Sequence, residues 1–103
     1  MENDLIITIV NRGFEDLVME AAKSKGAFGG TILNARGTAN DTERFFNISI
    51  QPEKEIVLIV VEREKRHEIM QEICVRAGLC TPGQGIAFSV PVDETIGFAN
   101  QQK

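Results

Sequence analysis

The stretch Ile56 to Gly78, IVLIVVEREKRHEIMQEICVRAG, decides the fold, because it switches abruptly from one structural period to another. Ile56 to Val61 is uniformly apolar, with no alternation, and reads as a central strand covered on both sides or buried in an interface. From about Glu64 to Ala77 the apolar residues Ile69, Met70, Ile73, Cys74 and Ala77 return at helical spacing. Gly78 then supplies a C-terminal stop. Ile86 to Val92 follows as another strand, with Pro91 suited to a sheet edge or a strand end. This half of the chain is therefore strand, helix, strand.

The N-terminal half repeats that order without repeating its sequence. Leu5 to Val10 reads as a buried strand bounded by Asn11, Arg12 and Gly13. Phe14, Leu17, Val18, Ala21 and Ala22 then recur on one helical face, and Gly26 ends the helix. Thr31 to Ala35 reads as a second short strand, and GTANDTER, from Gly37 to Arg44, as a polar loop. Phe46, Ile48 and Ile50 alternate with polar residues, as a strand with one wet face does, and Pro52 interrupts the pattern. The tail from Asp93 to Lys103 is polar and weakly patterned. Two β-α-β halves joined through a hairpin give βαββαβ. The expected architecture is an α+β ferredoxin-like sandwich, an antiparallel sheet with two helices on one face, formed by residues 1–103 as a single domain.

Composition narrows the function. The chain has 103 residues, 43% hydrophobic and 25% charged, which suits a folded domain small enough to gain from assembly. A net charge of -4 argues against nonspecific nucleic-acid binding, which needs a basic surface. The longest apolar run falls far short of the ~20 residues that span a bilayer, and the acidic N-terminus does not read as a signal peptide. A cytoplasmic protein, not itself membrane-embedded, is expected. Of the two cysteines, Cys74 reads as core packing and Cys80 as a residue at the helix exit. A helix carried through both would hold their Cα atoms roughly 9 Å apart, beyond disulfide reach, so free thiols are expected. His67, amid EREKRHE, reads as solvated. No His/Cys cluster has structural-zinc spacing, and no catalytic constellation stands out.

Two glycine-centred segments remain: GGTILNARGT from Gly29 to Thr38, and TPGQGIAFSVPVDE from Thr81 to Glu94. The turn TPGQG lacks the spacing and the lysine of a Walker A loop. It reads either as a tight helix-to-strand connection or as a nest offering backbone N–H groups to an anion. In order and wording these segments resemble the nitrogen regulatory P-II family, from about Leu5 to Glu94, most specifically at GQGIAFSVPV.

The resemblance implies a homotrimeric ferredoxin-like sensor that packs three sheet faces around an axis, binds adenine nucleotides between subunits and presses a loop against a target protein. Gly29 and Thr31 match positions of the adenine-side wall, and Gly37 the glycine at the base of the recognition loop. Gly83 and Gly85, flanking Gln84, match the phosphate-embracing loop. Val60 matches the place where backbone groups meet the adenine ring, and Lys54 resembles the lysine preceding the central strand. The family's charges are largely missing: Ile86 stands for a lysine, Gln84 for an acidic residue, Gly97 and Ala99 for two arginines, and a residue near Asn40 for another. Arg36, Lys54 and Arg44 are the cations left to meet a phosphate, or are ordinary surface charges. A polyphosphate needs charge-assisted partners in a cleft, so AMP or ADP is expected before ATP, which should bind weakly or not at all.

The loop from Gly37 to Gln51, with Thr38, Asn40, Thr42, Arg44, Phe45 and Phe46, would contact the target, in that family often a membrane transporter or a metabolic enzyme. Phe45 and Phe46 would anchor the partner or simply start the next strand. The chain has no tyrosine, so nucleotidylation of a loop tyrosine is chemically excluded. Two other readings stand beside this one. A trimeric metal-tolerance-type protein binding divalent cations has the same fold, but the single histidine disfavours it. A small enzyme with Cys80 as nucleophile would need a base that the neighbouring sequence does not supply.

Overall fold

The computed structural model describes residues 2–38, 44–45, 48–49, 53–81 and 84–98. Its main sheet is antiparallel, with strands in the order β2-β5-β1-β6. These are β1 (Asn3–Asn11), β2 (Thr31–Arg36), β5 (Glu53–Glu62) and β6 (Gly85–Val92). Helices α1 (Glu15–Ser24) and α2 (Arg63–Arg76) connect them, so the expected ferredoxin-like α+β fold is the one observed.

Register separates the two faces of the sheet. Ile6 pairs with Ile59 and Thr8 with Val57, and these residues are buried with Val10 and Val61 beneath the helices. The helices contribute Val18, Ala21, Ala22, Ile69 and Ile73 to the same core. A strand's side chains alternate, so the intervening residues all point the other way. By that register Leu5, Ile7 and Ile9 of β1 line up on the open face with Ile56, Leu58 and Val60 of β5, Ile86, Phe88 and Val90 of β6, and Leu33 of β2. Both β1 and β5 are thus largely apolar on both faces, and among the described residues only one face is covered by helices. Ile86 and Phe88 remain 55% and 41% exposed.

Glycines end both helices as expected, by the same device. Past α1, Gly26 at φ +109° lets its own N–H and that of Ala27 return to the carbonyls of Lys23 and Ala22. Past α2, Gly78 at φ +75° turns the chain so that Leu79 donates to the carbonyl of Cys74. A side chain disfavours that left-handed conformation, which is why glycine stands at both places.

β5 enters α2 without a loop, and a buried carboxylate fixes the junction. Asp4, on the helix side of β1, accepts hydrogen bonds from Arg63 Nε at 2.9 Å and Arg66 Nη1 at 2.8 Å. Its carboxyl is held below the usual carboxylate value, first by the Arg63 hydrogen bond and then by Arg66, against the opposing effect of burial. Asp4 is 1% exposed, and the two guanidiniums are what make its burial tolerable.

Four expectations need correction. Cys74 and Cys80 are disulfide-bonded rather than free, with Cα atoms 5.6 Å apart. The helix does not carry through both: α2 stops at Arg76, and the turn at Gly78 brings Cys80 back over the last helical turn. Cys74 is accordingly half-buried at the helix flank, outside the core cluster. Leu17, expected on the buried face of α1, is exposed instead. The alternating strand at Phe46, Ile48 and Ile50 is not part of the main sheet. Its described portion is a separate two-residue ladder, β3 (Arg44–Phe45) against β4 (Ile48–Ser49), while Phe46 and Ile50 lie outside the described residues.

Candidate functional site

At the β2 edge, the segment between α1 and β2 passes over β5 and leaves a groove of about 410 Å³. Phe28, Gly29, Gly30 and Thr31 form one wall, Leu58 and Val60 the floor, and Gly97 and Phe98 from the tail the far side. Three residues singled out from the sequence, Gly29, Thr31 and Val60, thus share one cavity. Gly30 permits the close approach that shapes it. A Cβ there would stand 2.9 Å from the Leu58 carbonyl oxygen and 3.0 Å from Met19 Sδ. None of the lining residues is charged, so the groove suits a flat, neutral group rather than a phosphate.

Arg36, Gly37 and Lys54 gather at the other end of the same strand pair. Lys54 pairs with Ala35 and lies on the same face of β5 as Leu58, four residues along, or about 13 Å at 3.3 Å per residue. Its stem rests on Gly37, where a Cβ would meet Lys54 Cε at 3.0 Å. Its ammonium group donates to Asn11 Oδ1 at 2.6 Å. Arg36 is exposed at the end of β2. The same region holds a carboxyl pair, Glu15 and Glu55. The hydrogen bond to Glu15 and then burial raise the Glu55 carboxyl, while the bond from Glu55 and the N–H of Gly13 lower that of Glu15. Two neighbouring carboxyls push each other's titration apart in this way.

Gln84 and Gly85 are not in that neighbourhood. Gly85 begins β6 and Gln84 directly precedes it, at the opposite edge of the sheet, with β1 and β5 between them and β2. Three strand spacings make that about 14 Å. Gly85 has a packing reason to be glycine: a Cβ would stand 2.5 Å from the Ile9 carbonyl oxygen and 2.8 Å from Leu79 Cδ2. A second hollow, of about 400 Å³, lies on that edge between α2 and β6, bordered by His67, Cys74, Leu79 and Gly85. His67 is exposed there, as expected.

Of the remaining site residues, Thr38 is exposed just beyond β2, and Arg44 and Phe45 form the short β3. Gly83, Asn40, Thr42 and Phe46 lie outside the described residues. Sequence reasoning missed Phe28, Gly30, Leu58 and Phe98. The aromatic directly before Gly29-Gly30 was a usable signal for Phe28, whereas nothing periodic marked Phe98. Among the described residues no group of three His, Cys, Asp or Glu side chains could hold a metal ion, and no helix is long and apolar enough to cross a membrane.

No curated protein matches this chain at significant similarity. A family model does, that of the nitrogen regulatory protein P-II, over residues 3–101. The match takes in the whole four-stranded sheet, both helices and both glycine segments, and the chain belongs to the P-II family.

Proposed function

We propose that this chain is a signal-transduction protein of the P-II type, regulatory rather than catalytic, which works in the cytoplasm as a homotrimer. Each cleft between subunits takes an adenine nucleotide with few phosphates. The base occupies the groove at Gly29, Thr31 and Val60, and the phosphate end lies toward Lys54, Gly37 and Arg36. Gly83, Gln84 and Gly85 of a neighbouring subunit close the cleft. Ligand occupancy sets the conformation of the loop from Gly37 to Gln51, through which Thr38, Asn40, Thr42, Arg44, Phe45 and Phe46 contact a target, a membrane transporter or a metabolic enzyme.

The observation that supports this most strongly is the division of the glycine segments between opposite edges of one sheet. A ligand meeting both must lie between one copy's β2 edge and another's β6 edge. Such a head-to-tail contact makes a ring of three when each step turns by a third of a circle. The apolar open face supplies the surface that three copies would bury, since a contiguous exposed apolar patch marks an interaction surface. The scarcity of cations along the cleft favours AMP or ADP over ATP.

A thermal-shift panel of AMP, ADP and ATP, run beside light scattering, tests the reading. The expected result is a particle of three chains whose melting temperature rises with AMP or ADP and little with ATP. A persistent monomer, or tight magnesium-dependent ATP binding, would sink it.

A further inference from the structure

The Cys74–Cys80 bond holds together none of the core. Neither cysteine belongs to the buried cluster, and the turn it spans already has its own backbone bonds, from Ala77 to Ile73, Leu79 to Cys74 and Thr81 to Gly78. The cysteines are only six residues apart, and so short a loop removes less entropy from the unfolded chain than a longer one would. Cys80 is exposed, which leaves its sulfur open to attack by a thiol. In the cytoplasm proposed above, an accessible disulfide outside the core is made and broken rather than kept.

Its position says what making and breaking it would change. One sulfur is fixed to the last turn of α2, and the other is carried by the residue before Thr81, whose carbonyl accepts the N–H of Gln84 at 3.3 Å. Leu79, between the two cysteines, packs over the point where β6 begins and leaves no room there for a Cβ on Gly85. The bond therefore clamps Leu79, Cys80 and Thr81 onto the helix end.

We propose that Cys74 and Cys80 form a reversible dithiol–disulfide switch that sets the freedom of residues 79–81 beyond the end of α2. The thiolate of a dithiol reductant attacks the exposed Cys80 sulfur, and the Cys74 sulfur departs and takes up a proton. The reductant's second thiol then displaces Cys80, leaving two protein thiols and an oxidised reductant, two electrons and two protons having been transferred. A disulfide oxidant such as oxidised glutathione runs the exchange backwards. Reduction unclamps the turn without unfolding the domain. Any effect on nucleotide affinity rests on the function proposed above, since Gln84 and Gly85 belong to that site.

The test uses the full chain, oxidised with glutathione disulfide or reduced with dithiothreitol. Native alkylation with iodoacetamide should add two groups to the reduced form and none to the oxidised form. Hydrogen exchange at Leu79, Thr81, Gln84 and Gly85 should be at least about tenfold faster after reduction, with β1 and β5 unchanged. A Cys74→Ser/Cys80→Ser double variant should exchange like the reduced protein in either buffer. A bond that resists dithiothreitol in the native protein, identical exchange in both forms, or global unfolding on reduction would each overturn the switch. Calorimetry with AMP separates the two readings. Equal affinity in both forms would overturn the coupling to the ligand site. Binding to neither form would count against the proposed function, and exchange alone would still decide the switch.

Discussion

Gly29 and Gly85 are both glycines of the proposed ligand site, yet their surroundings give them different work. A Cβ at Gly29 meets nothing within 4 Å, whereas one at Gly85 runs into the backbone of β1. Gly85→Val should therefore cost stability directly, on the order of 2 kcal/mol for overpacking, seen as a lower melting temperature before any ligand is added. Gly29→Val is the cleaner probe. It should leave stability within about 0.5 kcal/mol and weaken AMP binding at least tenfold by filling the groove. Unchanged affinity in that variant would refute the groove as the base site. From the sequence, Gly85 reads as part of a phosphate-embracing loop. The motif carried that idea, but the close approach of Ile9 and Leu79 depends on strand pairing that no local pattern discloses.

The junction of β5 and α2 is an element held by charge. In a native state that keeps Asp4 ionised below its ordinary value of 3.8, the unfolded chain binds the extra proton as pH falls. The stabilisation is therefore complete above that ordinary value and is lost as pH drops through the depressed one. Asp4→Asn should remove about 2 kcal/mol at neutral pH, the scale of hydrogen bonds to charged groups, and flatten the acid limb of a melting-temperature profile. Glu55 has the opposite sign. Its carboxyl is raised above 4.5, so its contribution is present below that value and is lost as pH rises through the raised one. Glu55→Gln should thus raise the melting temperature at pH 7 and leave it nearly unchanged in acid; a drop at pH 7 would contradict the raised Glu55 carboxyl. The elements themselves were legible in the sequence because periodicity and glycine stops are local signals. Asp4 was not, since an acidic residue before an apolar run looks like an ordinary strand boundary. The disulfide was missed for a related reason, because the 9 Å spacing assumed a helix that Gly78 in fact breaks.

At the scale of the whole molecule, the apolar open face is the dominant fact. The unbroken run Ile56 to Val61 revealed it in the sequence, since such a strand must be covered on both sides. Alternating burial along β5 then distinguished the face the helices cover from the one the described residues leave open. Phe88→Glu, which places a charge in the middle of that face, should shift light scattering toward the monomer. The far-ultraviolet circular dichroism should keep its native shape, because Phe88 is not part of the helix-side core. A variant that stays trimeric would show that the interface lies elsewhere.

The opposite-edge placement of the two glycine segments also has a genetic reading. Suppose Gly29→Val disables only the β2 side of a cleft and Gln84→Trp only the β6 side. Neither protein alone would bind AMP. Mixed at random in equal amounts and allowed to reassemble, about a quarter of the clefts would combine a sound β2 edge from one parent with a sound β6 edge from the other. Two defective alleles would then complement each other in a single particle, with a binding stoichiometry near a quarter of normal. A site contained within one chain could recover nothing by mixing.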